Sequence, residues 1–231
     1  ENKYQNSTFE EVFKTTYDNK DFMDLYHWGV FASTFLWEHH LEIIKFFRQS
    51  FLQLFEKNCP LKCFDLGAGS GVWTWQFLNA LPYSNIQAVD ISKTSISKLS
   101  TMINLLDKEL HIDTIEGDAT TWSNNELYDY YDAGISCFLL EHLEKPNLLM
   151  ENISRLLKKR SYGFICGALT AAEIDHIYEF KRESEIVTLA ENAGLRVIEM
   201  KSLAPSNVSN NHKYLPRSMA MIVSKRDGDI W

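Results

Sequence analysis

The stretch Phe64-Asp65-Leu66-Gly67-Ala68-Gly69-Ser70-Gly71 decides the fold. It closes the apolar run Leu61–Leu66 and opens the run Val72–Leu81, which stops at Pro82. The order is therefore strand, tight turn, helix. Glycines at such a junction permit the sharp turn and remove side chains that would hold a ligand away from the backbone. A nucleotide-like ligand is expected there, at the carboxyl end of the strand.

The same alternation continues downstream. Ile86–Ile91, Ile112–Glu116, Tyr131–Phe138 and Tyr162–Leu169 read as strands. Thr94–Leu106, Pro146–Lys158 and Glu183–Ala193 read as helices, the last ended by Gly194. Strands alternating with long helices predict an α/β fold with a doubly wound, mostly parallel sheet. Leu195–Met200 and Ser218–Ser224 leave no room for a crossover helix between them, so they are expected to pair antiparallel at an edge. Upstream, residues 1–58 read as a helical lid, clearest from Phe35 to Phe55, and 59–231 as the main domain. Tyr26, Trp28, Phe31, Phe35 and Trp37 give the lid an aromatic cluster.

Composition narrows the function. With 231 residues, 45% hydrophobic and 23% charged, the chain is an ordinary globular domain. A net charge of −8 repels phosphate, so nucleic acid is not an expected partner. Cys59, Cys63, Cys137 and Cys166 form no CxxC pair, and three of them sit in strand-like apolar settings as core residues. No apolar run approaches the ~18 residues of a membrane span, and the first residues carry no signal-type apolar stretch. A cytoplasmic protein without membrane contact is expected.

Two acidic positions extend the glycine turn into a pocket. Asp90 ends the second strand, where a carboxylate accepts the hydroxyls of a ribose. Asp118, in Gly117-Asp118-Ala119 after the third strand, is placed to meet an adenine amine. The G-x-G-x-G spacing puts Val72 where a dinucleotide fold wants glycine or alanine, which disfavours a nicotinamide dehydrogenase. Asp65, two before the first glycine, suits a ligand with an ammonium and a sulfonium rather than a pyrophosphate.

Asp65–Gly71, Asp90, Gly117-Asp118-Ala119 and Ser136–His142 together resemble the class I S-adenosylmethionine-dependent methyltransferases, over roughly Leu61 to Lys225. Asp175-His176-Ile177-Tyr178-Glu179-Phe180 and the helix ending at Gly194 are similar to the corresponding segment of small-molecule and natural-product members. The resemblance implies S-adenosyl-L-methionine as cofactor. It also implies a Rossmann-like seven-stranded sheet of order 3-2-1-4-5-7-6 with the seventh strand antiparallel. Gly67, Ala68 and Gly69 would pass along the methionine moiety, Asp90 would hold the ribose and Ile91 would pack on the adenine. Asp118 and Ala119 would meet the adenine edge, and Ser136, Cys137 and Phe138 would floor the reacting centre. Tyr17 matches an N-terminal aromatic that closes over the cofactor.

Methyl transfer from a sulfonium is an in-line displacement of an already activated group. Alignment supplies roughly 7–11 kcal/mol of such a barrier, and a base is needed only where the nucleophile starts protonated. His176 and His142 are the candidate catalytic residues, with Glu141, Tyr178 and Tyr214 as further candidate bases. Trp28, Phe31, Tyr178 and Tyr214 are the expected acceptor contacts. Some quinone O-methyltransferases bind a divalent ion with a Glu-x-x-Glu-His run at Phe138–His142. Phe138 stands at the first ligand position here, so no metal is expected. His39 and His40, adjacent on a helix, are expected to be exposed.

The expected activity is transfer of a methyl group to an oxygen (hydroxyl or carboxylate) or a nitrogen of a small molecule or short peptide. Oxygen is slightly favoured; against a nucleic-acid or protein methyltransferase stand the net charge and the lack of an Asn/Asp-Pro-Pro-aromatic motif of amino-methylating members after the fourth strand. The alternatives are a protein or RNA methyltransferase and a catalytically silent cofactor-binding subunit.

Overall fold

Alternating faces build the sheet. In β1 (Lys62–Leu66) and β4 (Tyr131–Cys137) almost every residue is buried, as in parallel strands covered on both sides. The computed structural model describes residues 8–13, 16, 20–105, 110–170, 175–206 and 217–227. With β2 (Asn85–Asp90), β3 (His111–Glu116), β5 (Leu157–Leu169), β6 (Leu195–Leu203) and β7 (Arg217–Lys225), the strands form one sheet of order β3-β2-β1-β4-β5-β7-β6. The pairings β1–β2, β1–β4, β2–β3 and β4–β5 are parallel. Strand β7 runs antiparallel between β5 and β6, the edge pairing expected from the short connection.

Successive residues of β5 show the two layers. Ile165 faces a core with Leu149, Met150 and Ile153 of α6 (Pro146–Leu156) and Ile186 and Ala190 of α7 (Glu183–Asn192). Phe164 and Cys166 face the other, with Phe77 and Leu78 of α4 (Val72–Ala80). Helix α5 (Lys93–Leu105) lays Leu99 and Ile103 on Ala88 of β2. Pro146 sits in the first turn of α6, where its missing N–H costs nothing, and Gly194, at φ +82, ends α7.

The N-terminal part contains α1 (Phe9–Val12), α2 (Lys20–Leu36) and α3 (Glu38–Phe46), which continues as a π turn, Phe47–Phe51, and a 3-10 turn, Leu52–Leu54. The expected single helix from Phe35 to Phe55 is interrupted at Trp37, whose backbone is extended at φ −85, ψ 126 while its ring stacks on His39. Phe46, Phe47 and Phe51 converge on Phe164, with ring centroids 5.7, 4.9 and 5.5 Å away. Residues 38–54 therefore belong to the core, and α2 is the element that overhangs it. Strand β5 starts earlier than expected, at Leu157. Its pairing with β4 shifts between Tyr131 and Ala133, and Arg160 takes a left-handed turn at φ +63.

Phe164 is fully buried against four aromatic rings. Phe164→Ala is expected to cost about 3–5 kcal/mol of stability. Urea unfolding checks it: a smaller loss would mean that the N-terminal aromatics repack without this ring.

Candidate active site

Gly67 and Gly69 form the turn between β1 and α4, with φ of +75 and +55. A Cβ on Gly67 would lie 2.8 Å from Leu139 Cδ2, whereas a Cβ on Gly69 would meet nothing within 4 Å. One glycine lets the loop pack against the end of β4, and the other leaves open space above the backbone. The loop is fastened by Asp90, at the end of β2. Its Oδ2 accepts the Gly69 N–H at 2.8 Å and its Oδ1 accepts the Ser92 N–H at 2.8 Å. Asp118 forms a small turn by accepting the Thr120 N–H at 2.8 Å. The loop after β3 is clamped from α6 by the buried Asn152, whose amide donates to the Ala119 and Trp122 carbonyls at 2.9 and 3.0 Å.

These groups line a cavity of about 1010 Å³ at the carboxyl ends of the strands. That is the upper end of small-molecule sites, so there is room for two ligands. Gly67, Ala68, Gly69, Asp90, Ile91, Asp118 and Ala119 line one end. Phe138, Glu141, His142, Asp175 and His176 line the other, with Trp37, His39 and His40. Phe138 takes φ +54, a costly geometry for a bulky residue, and packs its ring 4.9 Å from that of His40.

Two loops meet at the second end. The Glu141 carbonyl accepts the N–H groups of Ile177 and Tyr178 at 2.8 and 3.0 Å. Its carboxylate accepts the Ala168 N–H at 3.1 Å through Oε1, while Oε2 is buried without a hydrogen-bond partner. Burial pushes this carboxyl up to about 7, with His176 opposing. His142 donates from Nδ1 to the Asp175 carbonyl at 3.0 Å, and the Asp175 carboxylate lies 3.4 Å from the same nitrogen. The His142 and His176 rings meet edge to face at 4.8 Å. Burial raises the Asp175 carboxyl, but His142, His176 and a hydrogen bond from Tyr26 outweigh it and hold the group below its ordinary range.

Several expected site residues stand elsewhere. Asp65 does not line the cavity: it is buried under the loop and accepts the Thr74 hydroxyl at 2.6 Å. Ser136 is also beneath, donating to the Leu66 carbonyl at 2.9 Å. Trp28 and Phe31 point away, 68% and 42% exposed, because the cavity side of α2 carries Met23, Tyr26, His27, Val30 and Thr34. Tyr178 is exposed and stacks on Phe180. Tyr17 and Tyr214 lie outside the described residues. His39 and His40 are not exposed: His39 is buried and His40 half-buried, because the break at Trp37 turns both rings inward. Burial lowers the His40 pKa to about 4. The expectation of no metal rested on Phe138, but the fold brings His176 from a different loop to Glu141 and His142.

Comparison with known proteins agrees with this geometry. Residues 64–162 match the family described as methyltransferase domain. A search of the curated proteins found no match. Phosphoethanolamine N-methyltransferase 2 from Haemonchus contortus, solved with phosphomonomethylethanolamine and S-adenosylhomocysteine, superposes with a TM-score of 0.70 at 14% identity. The alignment covers 96% of this chain and 61% of that one. A putative sarcosine dimethylglycine methyltransferase from Galdieria sulphuraria gives 0.66 at 14% identity, covering 81% and 87%. The cyclase SpnF gives 0.60 at 12% identity, covering 73% and 76%. The fold is that of the class I S-adenosylmethionine-dependent methyltransferases, and a Haemonchus contortus structure of that fold was solved in complex with S-adenosyl-L-methionine. The open space at Gly69 and the carboxylates of Asp90 and Asp118 fit that cofactor. No helix among the described residues is long and apolar enough to cross a membrane.

Burial, opposed by the Thr74 hydroxyl and reinforced by Asp90, raises the Asp65 pKa to about 7. An acid raised in the folded state stabilises most below its unfolded pKa, and that advantage is lost as pH rises to its folded pKa. Between pH 4 and 7 the wild type is therefore expected to lose stability relative to Asp65→Asn, with no further change above 7. Paired urea midpoints across that range check it: a pH-independent gap would place the Asp65 pKa near its ordinary value.

Proposed function

We propose that the chain is a cytoplasmic methyltransferase acting on an oxygen of a small molecule or short peptide, hydroxyl or carboxylate, with nitrogen as the second choice. One observation carries the reading. A single cavity joins the glycine loop, with Asp90 and Asp118, to the paired histidines His142 and His176. One end suits a nucleoside and the other an acceptor. Four free cysteines, of which Cys137 and Cys166 face each other across β4 and β5, support a reducing compartment.

When bound, S-adenosylmethionine supplies a methyl group already activated on sulfur. The chain's own task is to hold the two partners in line and keep water out. The Gly67–Gly69 backbone would border the methionine part, Asp90 would accept from the ribose and Asp118 with Ala119 would border the adenine. At the acceptor end, Asp175 is a positioning residue. It fixes the His142 tautomer, with the proton on Nδ1, and so makes Nε2 the nitrogen that accepts from an acceptor hydroxyl. His176 supplies a second polar group beside it, and Tyr26 of α2 reaches Asp175 from the lid side. The uncharged rings of the buried His39 and the half-buried His40, whose pKa values burial lowers, and the ring of Phe138 suit an apolar or aromatic acceptor body.

Calorimetry is expected to show one S-adenosylhomocysteine bound per chain. Asp90→Ala removes a charged acceptor worth about 1.5–3 kcal/mol and also releases the Gly69 N–H. Affinity should fall by roughly one to two orders of magnitude. Unchanged affinity with native circular dichroism would remove Asp90 from the ribose contact.

Cofactor turnover across a panel of hydroxyl, carboxylate and amine acceptors tests the activity itself. His176→Ala should lower turnover while S-adenosylhomocysteine affinity stays near the parent value. A loss of about a hundredfold or more marks proton transfer, and less than about fifteenfold marks positioning alone. Tight cofactor binding with no turnover on any acceptor would favour a silent partner subunit.

A further inference from the structure

We propose that Glu141, His142 and His176 form a binding site for one divalent transition-metal ion at the acceptor end of the cavity. Each offers a ligand atom, these atoms all lie within 4.8 Å of one another, and all three residues are buried. Metal bonds of about 2.0–2.2 Å set neighbouring ligand atoms about 2.8–3.6 Å apart, from octahedral to tetrahedral geometry. An ion would thus draw the widest pair together by about 1–2 Å, within reach of side-chain rotation. Two imidazoles and one carboxylate, with the remaining positions facing a cavity, are the donors of a catalytic rather than a structural site.

Two further observations point the same way. Glu141 is 1% exposed, and its Oε2 has no hydrogen-bond partner although Oε1 is held by the Ala168 N–H. A carboxylate oxygen left unpaired in the interior is costly unless a cation meets it. His142 already has the outer support that metal-bound histidines use: Nδ1 is engaged by the Asp175 carbonyl at 3.0 Å, so with an ion bound Nε2 meets the ion, and the acceptor hydroxyl meets the ion in place of Nε2. The two loops are pinned to each other through the Glu141 carbonyl, so the ligands are assembled in advance. This set differs from a Glu-x-x-Glu-His run, because Phe138 replaces the first member and His176 comes from beyond β5.

The role of the ion rests on the methyl-transfer reading. With three protein ligands, two or more positions remain for the acceptor, which selects a hydroxyl flanked by a second oxygen or nitrogen donor. Coordination releases the hydroxyl proton to solvent. The oxygen pair then bonds to the methyl carbon, and the carbon–sulfur pair stays on sulfur. The products are the methyl ether and S-adenosylhomocysteine.

Cobalt(II) is the probe, added to protein first dialysed against chelator. One equivalent is expected to bind with visible d–d bands, and zinc should displace it. Outer-shell changes alone cost about 10–100-fold in metal affinity. Glu141→Gln and His176→Ala should therefore each weaken cobalt binding at least about a hundredfold, with circular dichroism verifying the fold. In the unaltered chain, paramagnetic shifts of histidine N–H resonances should report two ligating imidazoles, so the test does not depend on any variant. No saturable binding, or binding that survives these substitutions, would overturn the site. Parallel titration with S-adenosylhomocysteine separates the two ideas. Cofactor binding without cobalt binding leaves the methyltransferase reading and removes the ion, whereas cobalt binding without cofactor binding leaves the ion and removes its role.

Discussion

Glu141 holds the histidine end of the cavity together. Its carbonyl receives two N–H groups from the segment after β5, and its carboxylate receives a third from Ala168 near the end of that strand. Those contacts bring His176 against His142, although the two are far apart in sequence. The His142 bond to the Asp175 carbonyl and the Phe138 N–H bond to the Cys166 carbonyl add to this join between the ends of β4 and β5. The arrangement is expensive, since a carboxyl group sits out of water with its pKa near 7. The surrounding N–H groups and histidines offset part of that cost.

The glycine-loop end of the cavity is built on the same economy of one side chain per loop. Asp90 fastens the glycine turn, and Asn152 reaches from α6 to clamp the loop after β3. Both act on backbone, so they fix where the ligand lies without having to be its main contact. A shared fold does not define chemistry, as the superposition with a cyclase illustrates. At the other end of the cavity stand Phe138, His40 and the two-loop cluster.

The strand–turn–helix at Phe64–Gly71 and the alternation after it were enough to anticipate the sheet, because period-two and period-3.6 patterns are local. The antiparallel edge followed from the short connection before β7. Side-chain direction was less accessible. Each step along a helix turns about 100°, so naming Trp28 and Phe31 instead of Tyr26, His27 and Val30 put the wrong face of α2 on the cavity. The extended residue at Trp37, which turns His39 and His40 inward, has no sequence signature that separates it from a continuing helix. Asp65 and Ser136 belong to the right strands but point below the loop, a difference set by the pleat at a strand end. The meeting of His176 with Glu141 depends on backbone hydrogen bonds between distant loops, which no pattern along the chain encodes. Asn152 had a detectable signal: a polar residue among Leu149, Met150, Ile153 and Leu156 on the buried side of α6.

Helix α2 leaves Leu25 and Trp28 largely in water and is tied to the body by polar contacts: Asp24 with Lys98 at 2.7 Å, His27 with Ser95 at 3.1 Å, and Tyr26 with Asp175. Detaching it on that side would uncover the buried Met23 and break these polar ties, each worth about 1 kcal/mol. The helix therefore works as a latch rather than as a plug. Access to the cavity beneath α2 should follow ionic strength, which weakens the lysine–aspartate tie.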